Sequence, residues 1–325
     1  MGFIRFYQTS AVLSVYRGPY LKYHFGLVYI FQPKSMLPNF VVVGAAKCGT
    51  TSIYNYLKQH PEVFMPNHKD SCFLAGLENM KKIKEANFKG AIINSLEEYT
   101  ESYKASEQAK AVGEVCALYL NYYIATIANI KKYLNEPKII MILRNPVERA
   151  FSNFMMSRIH GHEKREFSEV IVGKDELGLK KYIERGLYTE QVKAYLDNFK
   201  QVKIYLYDDL QSDSAAMMQD MFAFIGVDPT FQPDMSIRHN ISGAPKLKLV
   251  NSLYLNKSFK KYVYAVTGAL GLKTAVKKIA TRINAKNLKK TAINESDRHY
   301  LVDYYREDVQ VLQKLIQRDL SHWLK

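Results

Sequence analysis

Cysteine is scarce: Cys48, Cys72 and Cys116 are the only three in 325 residues. An odd number without metal-ligand spacing excludes a disulfide framework and a cysteine-built metal site, and it fits a reducing compartment. No apolar run approaches the roughly 20 residues that a spanning helix needs. The least charged early stretch, Phe6 to Tyr16, is broken by Gln8, Thr9, Ser10 and Ser14 and flanked by Arg5 and Arg17. It has no signal-peptide h-region or cleavage site, so a cytoplasmic location is expected. The alternative is that this aromatic, mildly basic segment rests peripherally on an anionic membrane surface. Internal repeats and low-complexity tracts are absent, which excludes solenoids and tails. Tryptophan occurs once, at Trp323, beside 24 Tyr and 16 Phe.

Acidic residues are missing altogether between Asp234 and Glu295, an interval holding thirteen Lys and Arg of a chain whose net charge is +15. Such a field attracts nucleotides, acidic glycans, anionic lipids or nucleic acid. No recognition motif supports nucleic acid, so no nucleic-acid partner is expected. For this basic segment, 235–294, a binding role and a solvated basic face stay open side by side.

With 47% hydrophobic residues the chain can bury a full core. An irregular lead-in, 1–38, is expected before a single domain, 39–325. Strands are predicted near 40–44, 112–116, 138–143 and 202–207, where short apolar runs are bounded by turn residues. Helices are predicted near 50–60, 121–134, 146–159, 178–199, from Ser212 to Ile225, and from Glu295 to Leu320. Strands separated by helices imply an α/β fold, a doubly wound parallel sheet with helices on both faces. Ligands of such sheets bind beyond the carboxyl ends of the strands.

The stretch Gly44-Ala-Ala-Lys47-Cys48-Gly49-Thr50-Thr51-Ser52 follows the first strand and opens the first helix. A strand, a glycine turn and a helix N-terminus together aim backbone N–H groups at a phosphate. Gly44 and Gly49 have Walker A spacing, but Thr50 stands where that motif has lysine and Lys47 lies inside the loop. The displaced lysine argues against an ordinary Mg²⁺-dependent kinase or NTPase, the rival reading. A second constellation, Arg144-Asn-Pro-Val-Glu-Arg-Ala-Phe-Ser152, also follows a strand. There Arg144 can fork onto a phosphate and Ser152 can add a bond. Two anion sites on one sheet edge suit a nucleotide phosphorylated at both ends.

These two stretches resemble the cofactor motifs of the sulfotransferase family. The continuation Tyr54-Asn-Tyr-Leu-Lys-Gln-His-Pro-Glu-Val-Phe-Met-Pro is especially similar to its carbohydrate branch, which includes heparan sulfate sulfotransferases and bacterial relatives. Gly186-Leu-Tyr, Tyr205-Leu-Tyr-Asp-Asp-Leu and Tyr304-Tyr-Arg-Glu-Asp-Val are supporting matches, so the resemblance runs from about residue 38 to the end. It implies a P-loop-type fold and sulfuryl transfer from 3′-phosphoadenosine-5′-phosphosulfate (PAPS), with no metal required. The acceptor it implies is a hydroxyl of a glycan or glycolipid; a lipid or small alcohol is the alternative. By resemblance, Lys47 to Ser52 take the 5′ end of the donor, and Arg144 and Ser152 the 3′-phosphate. The family's general base, a Glu in a Lys-Glu-Pro-type loop, matches Asp70 of Lys69-Asp70, with Glu114 as backup base or acceptor-binding carboxylate. Cys72 and Val115 replace a histidine and a lysine of some relatives.

Overall fold

The apolar runs become the middle of a parallel sheet. A computed structural model of the chain describes residues 37–85, 90, 92–172, 182–236, 244–245, 263, 288–289 and 291–325. The lead-in as far as residue 36, and most of the basic segment with Arg238, Lys246 and Lys248, lie outside the described residues.

Five strands, β1 (Phe40–Gly44), β2 (Val63–Phe64), β3 (Ala111–Val115), β4 (Lys138–Leu143) and β5 (Val202–Leu206), lie in the order β2-β3-β1-β4-β5, every neighbour parallel. β1, β3 and nearly all of β4 are buried on both faces, which is why they read as continuous apolar runs rather than alternating ones. Ile139, Ile140, Met141, Ile142 and Leu143 expose nothing, and each such side chain contributes roughly 2 kcal/mol by burial. A two-residue antiparallel pair, Ala244–Pro245 with Leu288–Lys289, stands apart from this sheet.

The helices that flank the sheet are α1 (Thr50–Leu57), α2 (Leu77–Glu85), α3 (Leu96–Glu101), α4 (Tyr123–Tyr133), α5 (Pro146–Ile159), α6 (Phe167–Val172), α7 (Thr189–Asn198), α8 (Tyr207–Ser212), α9 (Ser214–Ile225) and α10 (Glu295–Ile316). Two expectations need correction. Of the helix predicted over 178–199, residues 178–181 lie outside the described residues, Tyr182 and Ile183 are helical, and a separate α-helix begins at Thr189, where Asp308 of α10 accepts from the Tyr188 and Thr189 amides at 2.8 and 3.2 Å and caps it. Ahead of it, Glu184–Gly186 is a tight turn. The helix expected to start at Ser212 is capped instead by Asp213, which accepts from the Ala216 amide at 2.9 Å. Ser212 closes the short α8, which follows β5 directly.

The C-terminus locks the second motif. Asn145 caps α5 through the Val147 and Glu148 amides, and its side-chain amide donates to the Trp323 carbonyl at 3.2 Å. Pro146 at the first helical position supplies no amide to satisfy.

Candidate active site on the strand-exit edge

β1 ends in Gly44 and the chain turns sharply into α1. Gly49 holds the turn: its φ is +86°, and a Cβ there would lie 2.7 Å from Leu210 Cδ2. It stands at the N-cap of α1 without any side-chain cap. The positive dipole end of that helix is therefore open to an anion, although the Ser52 amide already donates to the Gly49 carbonyl at 2.9 Å. Thr50 is buried, while Thr51 and Ser52 are partly exposed.

Lys47 sits in the left-handed region at φ 74°. Among the described residues five non-glycine residues do so, and three of them, Lys47, Asp70 and Cys72, lie on this edge. Strained backbone of this kind concentrates where surrounding structure fixes a functional loop. The Lys47 ammonium rests 3.2 Å from Met156 Sδ of α5. Burial first, then the adjacent Arg144 charge, lowers its pKa to about 8. A thioether is a poor partner for an ammonium, so this charge is left for a ligand to take up.

Arg144 joins the two motifs physically. Its Nη1 donates to the Lys47 carbonyl at 3.2 Å, and its guanidinium stacks 4.7 Å from the Tyr207 ring centroid. Its nearest acid is Glu148, at 3.9 Å, which also pairs with Arg298. Tyr188 donates to the Arg144 carbonyl at 3.1 Å and lies 3.9 Å from Cys48 Sγ. Cys48 is wholly buried and its thiol is pushed up to about 11, chiefly by desolvation. It serves the loop as a packing residue, and any bond it makes to a ligand comes from its backbone. Ser152 lies on the buried face of α5 with Arg149 and Asn153.

The carboxylates occupy the neighbouring exit, that of β3. Asp70, at φ 62°, donates its amide to the Val115 carbonyl at 2.9 Å. Its Oδ1 accepts from the Ala117 amide at 2.8 Å and its Oδ2 from Lys69 Nζ at 2.6 Å. The side chain keeps 17% exposure, enough for a further contact at this edge. Glu114 differs from expectation. It is 2% exposed. Its Oε1 accepts from Ser71 Oγ and from the Tyr119 hydroxyl at 2.6 Å, and its Oε2 accepts from the Tyr99 hydroxyl at 2.6 Å. Burial raises its pKa. A carboxylate closed in by three hydroxyls has no approach for an acceptor, so in this structure Glu114 anchors the Asp70 loop and does not line the edge. Ser71, Tyr99 and Tyr119 carry that anchor and have no local signature in the sequence. Scattered hydroxyls in a helix-rich excursion give no periodic signal.

Among the described residues no group of three His, Cys, Asp or Glu side chains stands together as a metal site. The edge therefore offers an uncapped helix end, a lysine without a strong acceptor, a forked arginine and, one strand away, a partly exposed aspartate. That set fits the phosphates of a nucleotide donor beside a proton acceptor.

Comparison with known proteins identifies the family. The model of the sulfotransferase family matches residues 38–233. A crystal structure of a sulfotransferase from Alicyclobacillus acidocaldarius superposes with a TM-score of 0.64 at 28% identity, covering 89% of this chain and 100% of that one. A membrane-associated sulfotransferase of Dictyostelium discoideum is 32% identical over 37% of this chain and 23% of its own length. The human bifunctional heparan sulfate N-deacetylase/N-sulfotransferase 2 is 26% identical over 62% of this chain and again 23% of its own length. The chain thus spans about a quarter of these two curated relatives.

Proposed function

The chain belongs to the sulfotransferase family, and from that premise we propose that it moves a sulfuryl group from PAPS to a hydroxyl of a carbohydrate acceptor. The observation that carries the proposal is the junction of the two motifs, where Arg144 donates to the Lys47 carbonyl beside an uncapped helix start. The carbohydrate acceptor is supported by likeness to the heparan sulfate enzyme.

Sulfuryl transfer resembles phosphoryl transfer: an in-line displacement with spread charge, in which positioning and charge stabilisation dominate. The donor supplies the activated sulfuryl group and a phosphate leaving group. Lys47, the Gly49 to Thr51 amides and the Thr50 and Thr51 hydroxyls hold the 5′ end and stabilise charge on the departing oxygen. Arg144 and Ser152 hold the 3′-phosphate. Asp70 takes the acceptor proton, with Lys69 paired to its Oδ2 and the Ala117 amide fixing its direction. The proposal also places the chain in the cytoplasm, which its three free thiols support.

The test is donor binding. Adenosine 3′,5′-bisphosphate (PAP) should raise the melting temperature, and labelled sulfate from PAPS should appear on an oligosaccharide acceptor. If neither PAPS nor PAP shifts the melting temperature, the proposal fails.

A further inference from the structure

One buried charge has no part in the mechanism above. Arg149 lies one turn into α5, between Arg144 and Ser152, and exposes nothing. Its Nη2 donates to the Tyr182 carbonyl. Its Nε and Nη1 have no hydrogen-bond partner among the described residues, nor does any carboxylate there form an ion pair with it. Burying an arginine without a counter-ion costs stability, and a fold gains nothing from it unless something compensates the charge.

The surroundings indicate where its field goes. Arg149 lies two turns before Met156 on the same face of α5, and the Met156 Sδ rests 3.2 Å from the Lys47 ammonium, so that face backs the loop. Around Arg149, Tyr305 donates to the Ile183 carbonyl at 2.8 Å, and Tyr188 links the Arg144 carbonyl to Cys48 Sγ. Of the charges that act on the Cys48 thiol, Arg149 is the strongest, ahead of Arg144, and it also adds to the depression of Lys47. The guanidinium thus bears on the loop from the protein side, where no solvent screens it.

We infer that Arg149 is the buried counter-charge of the donor, a positioning residue that never touches the ligand and attracts its phosphates through the Lys47–Ser52 loop. The cation is uncompensated in the free protein and compensated when the bis-phosphate binds. This rests on the donor-binding reading above, but it assigns to α5 a role separate from the 3′-phosphate contacts of Arg144 and Ser152.

The experiment measures the dissociation constant of PAP by calorimetry, at fixed ionic strength, for the wild type, Arg149→Met and Arg149→Lys. Melting of the ligand-free chains is measured alongside. Arg149→Met should bind PAP about tenfold more weakly or worse, with Arg149→Lys within about threefold of the wild type. The ligand-free Arg149→Met chain should melt no lower than the wild type, because an apolar residue replaces an unpaired buried charge. A purely structural arginine gives the reverse, lower melting in both variants with unchanged PAP affinity, and that result overturns the inference. If Arg149→Met does not fold, Arg149→Gln, neutral but polar, carries the same comparison. A chain that folds with neither neutral residue also overturns it, since the cation then serves the fold. A wild type that ignores PAP defeats the functional reading itself, whereas wild-type binding with an unchanged Arg149→Met constant defeats this inference alone.

Discussion

The two halves of the strand-exit edge are built on opposite principles. At the exits of β1 and β4 two cations are short of acceptors: Lys47 rests on a thioether, and Arg149 keeps two nitrogens unpaired among the described residues. At the exit of β3 the charged groups are carboxylates with their needs met, Glu114 by three hydroxyls and Asp70 by an amide and an ammonium. Buried polar groups are normally satisfied. The half that is not satisfied is shaped around something outside the chain, and the half that is satisfied stands by itself. On the proposed function, this contrast is why the edge says more about a doubly phosphorylated donor than about an acceptor.

Lys47→Ala tests the comparison most severely. It removes the charge proposed to face the leaving phosphate, and loss of one such stabilising group costs on the order of a hundredfold to a thousandfold in kcat. Turnover with saturating PAPS reads this directly. Activity near that of the wild type in this variant would remove the central argument for the donor half.

The satisfied half makes a split prediction. Asp70→Asn keeps the shape and removes the proposed base, so kcat should fall about a hundredfold while PAP affinity stays. Glu114→Gln breaks the anchor instead. One amide must face hydroxyls that all pointed at a carboxylate, and a buried mismatch of this kind costs about 1–3 kcal/mol. Its effect should appear as a lower melting temperature, with PAP affinity kept and only a modest loss of turnover. If Asp70→Asn instead weakens PAP, Asp70 belongs to the loop's architecture and the division of the edge is drawn in the wrong place.

Most of the donor half is legible in the sequence because it is local. Gly44 to Ser52 and Arg144 to Ser152 are each continuous, each follows an apolar strand, and each opens a helix with a recognisable start. The parallel sheet then brings them together without further information. The acceptor half is long-range. Glu114 is closed off by Ser71 and Tyr99, which are 43 and 15 residues away in the chain, and nothing in either local pattern announces the meeting. The same holds for Asp308, which sets the start of α7 across 120 residues. Arg149 was in plain view within the second motif. Its importance lies in what fails to accompany it, and absence of a partner becomes visible only in three dimensions.

The effect that is smallest at neutral pH, and the one that addresses the contrast most directly, is the pH dependence of donor binding. In the free protein the Lys47 ammonium has its pKa lowered from 10.5 to about 8, first by burial and then by Arg144. A bound phosphate favours the charged form and raises that value. PAP affinity should therefore be level below about pH 8 and fall above it, by about tenfold per pH unit while Lys47 is neutral in the free chain and charged in the complex. Stability of the ligand-free chain responds with the opposite sign. Between about 8 and 10.5 the unfolded chain holds a proton that the folded one has lost, so this group's contribution becomes more favourable as pH rises through that window. Lys47→Arg, charged throughout, should level the binding profile whatever its absolute affinity. If the wild-type constant is itself level to pH 10, Lys47 does not meet the donor's charge, and the unsatisfied half of the edge owes its form to some other ligand.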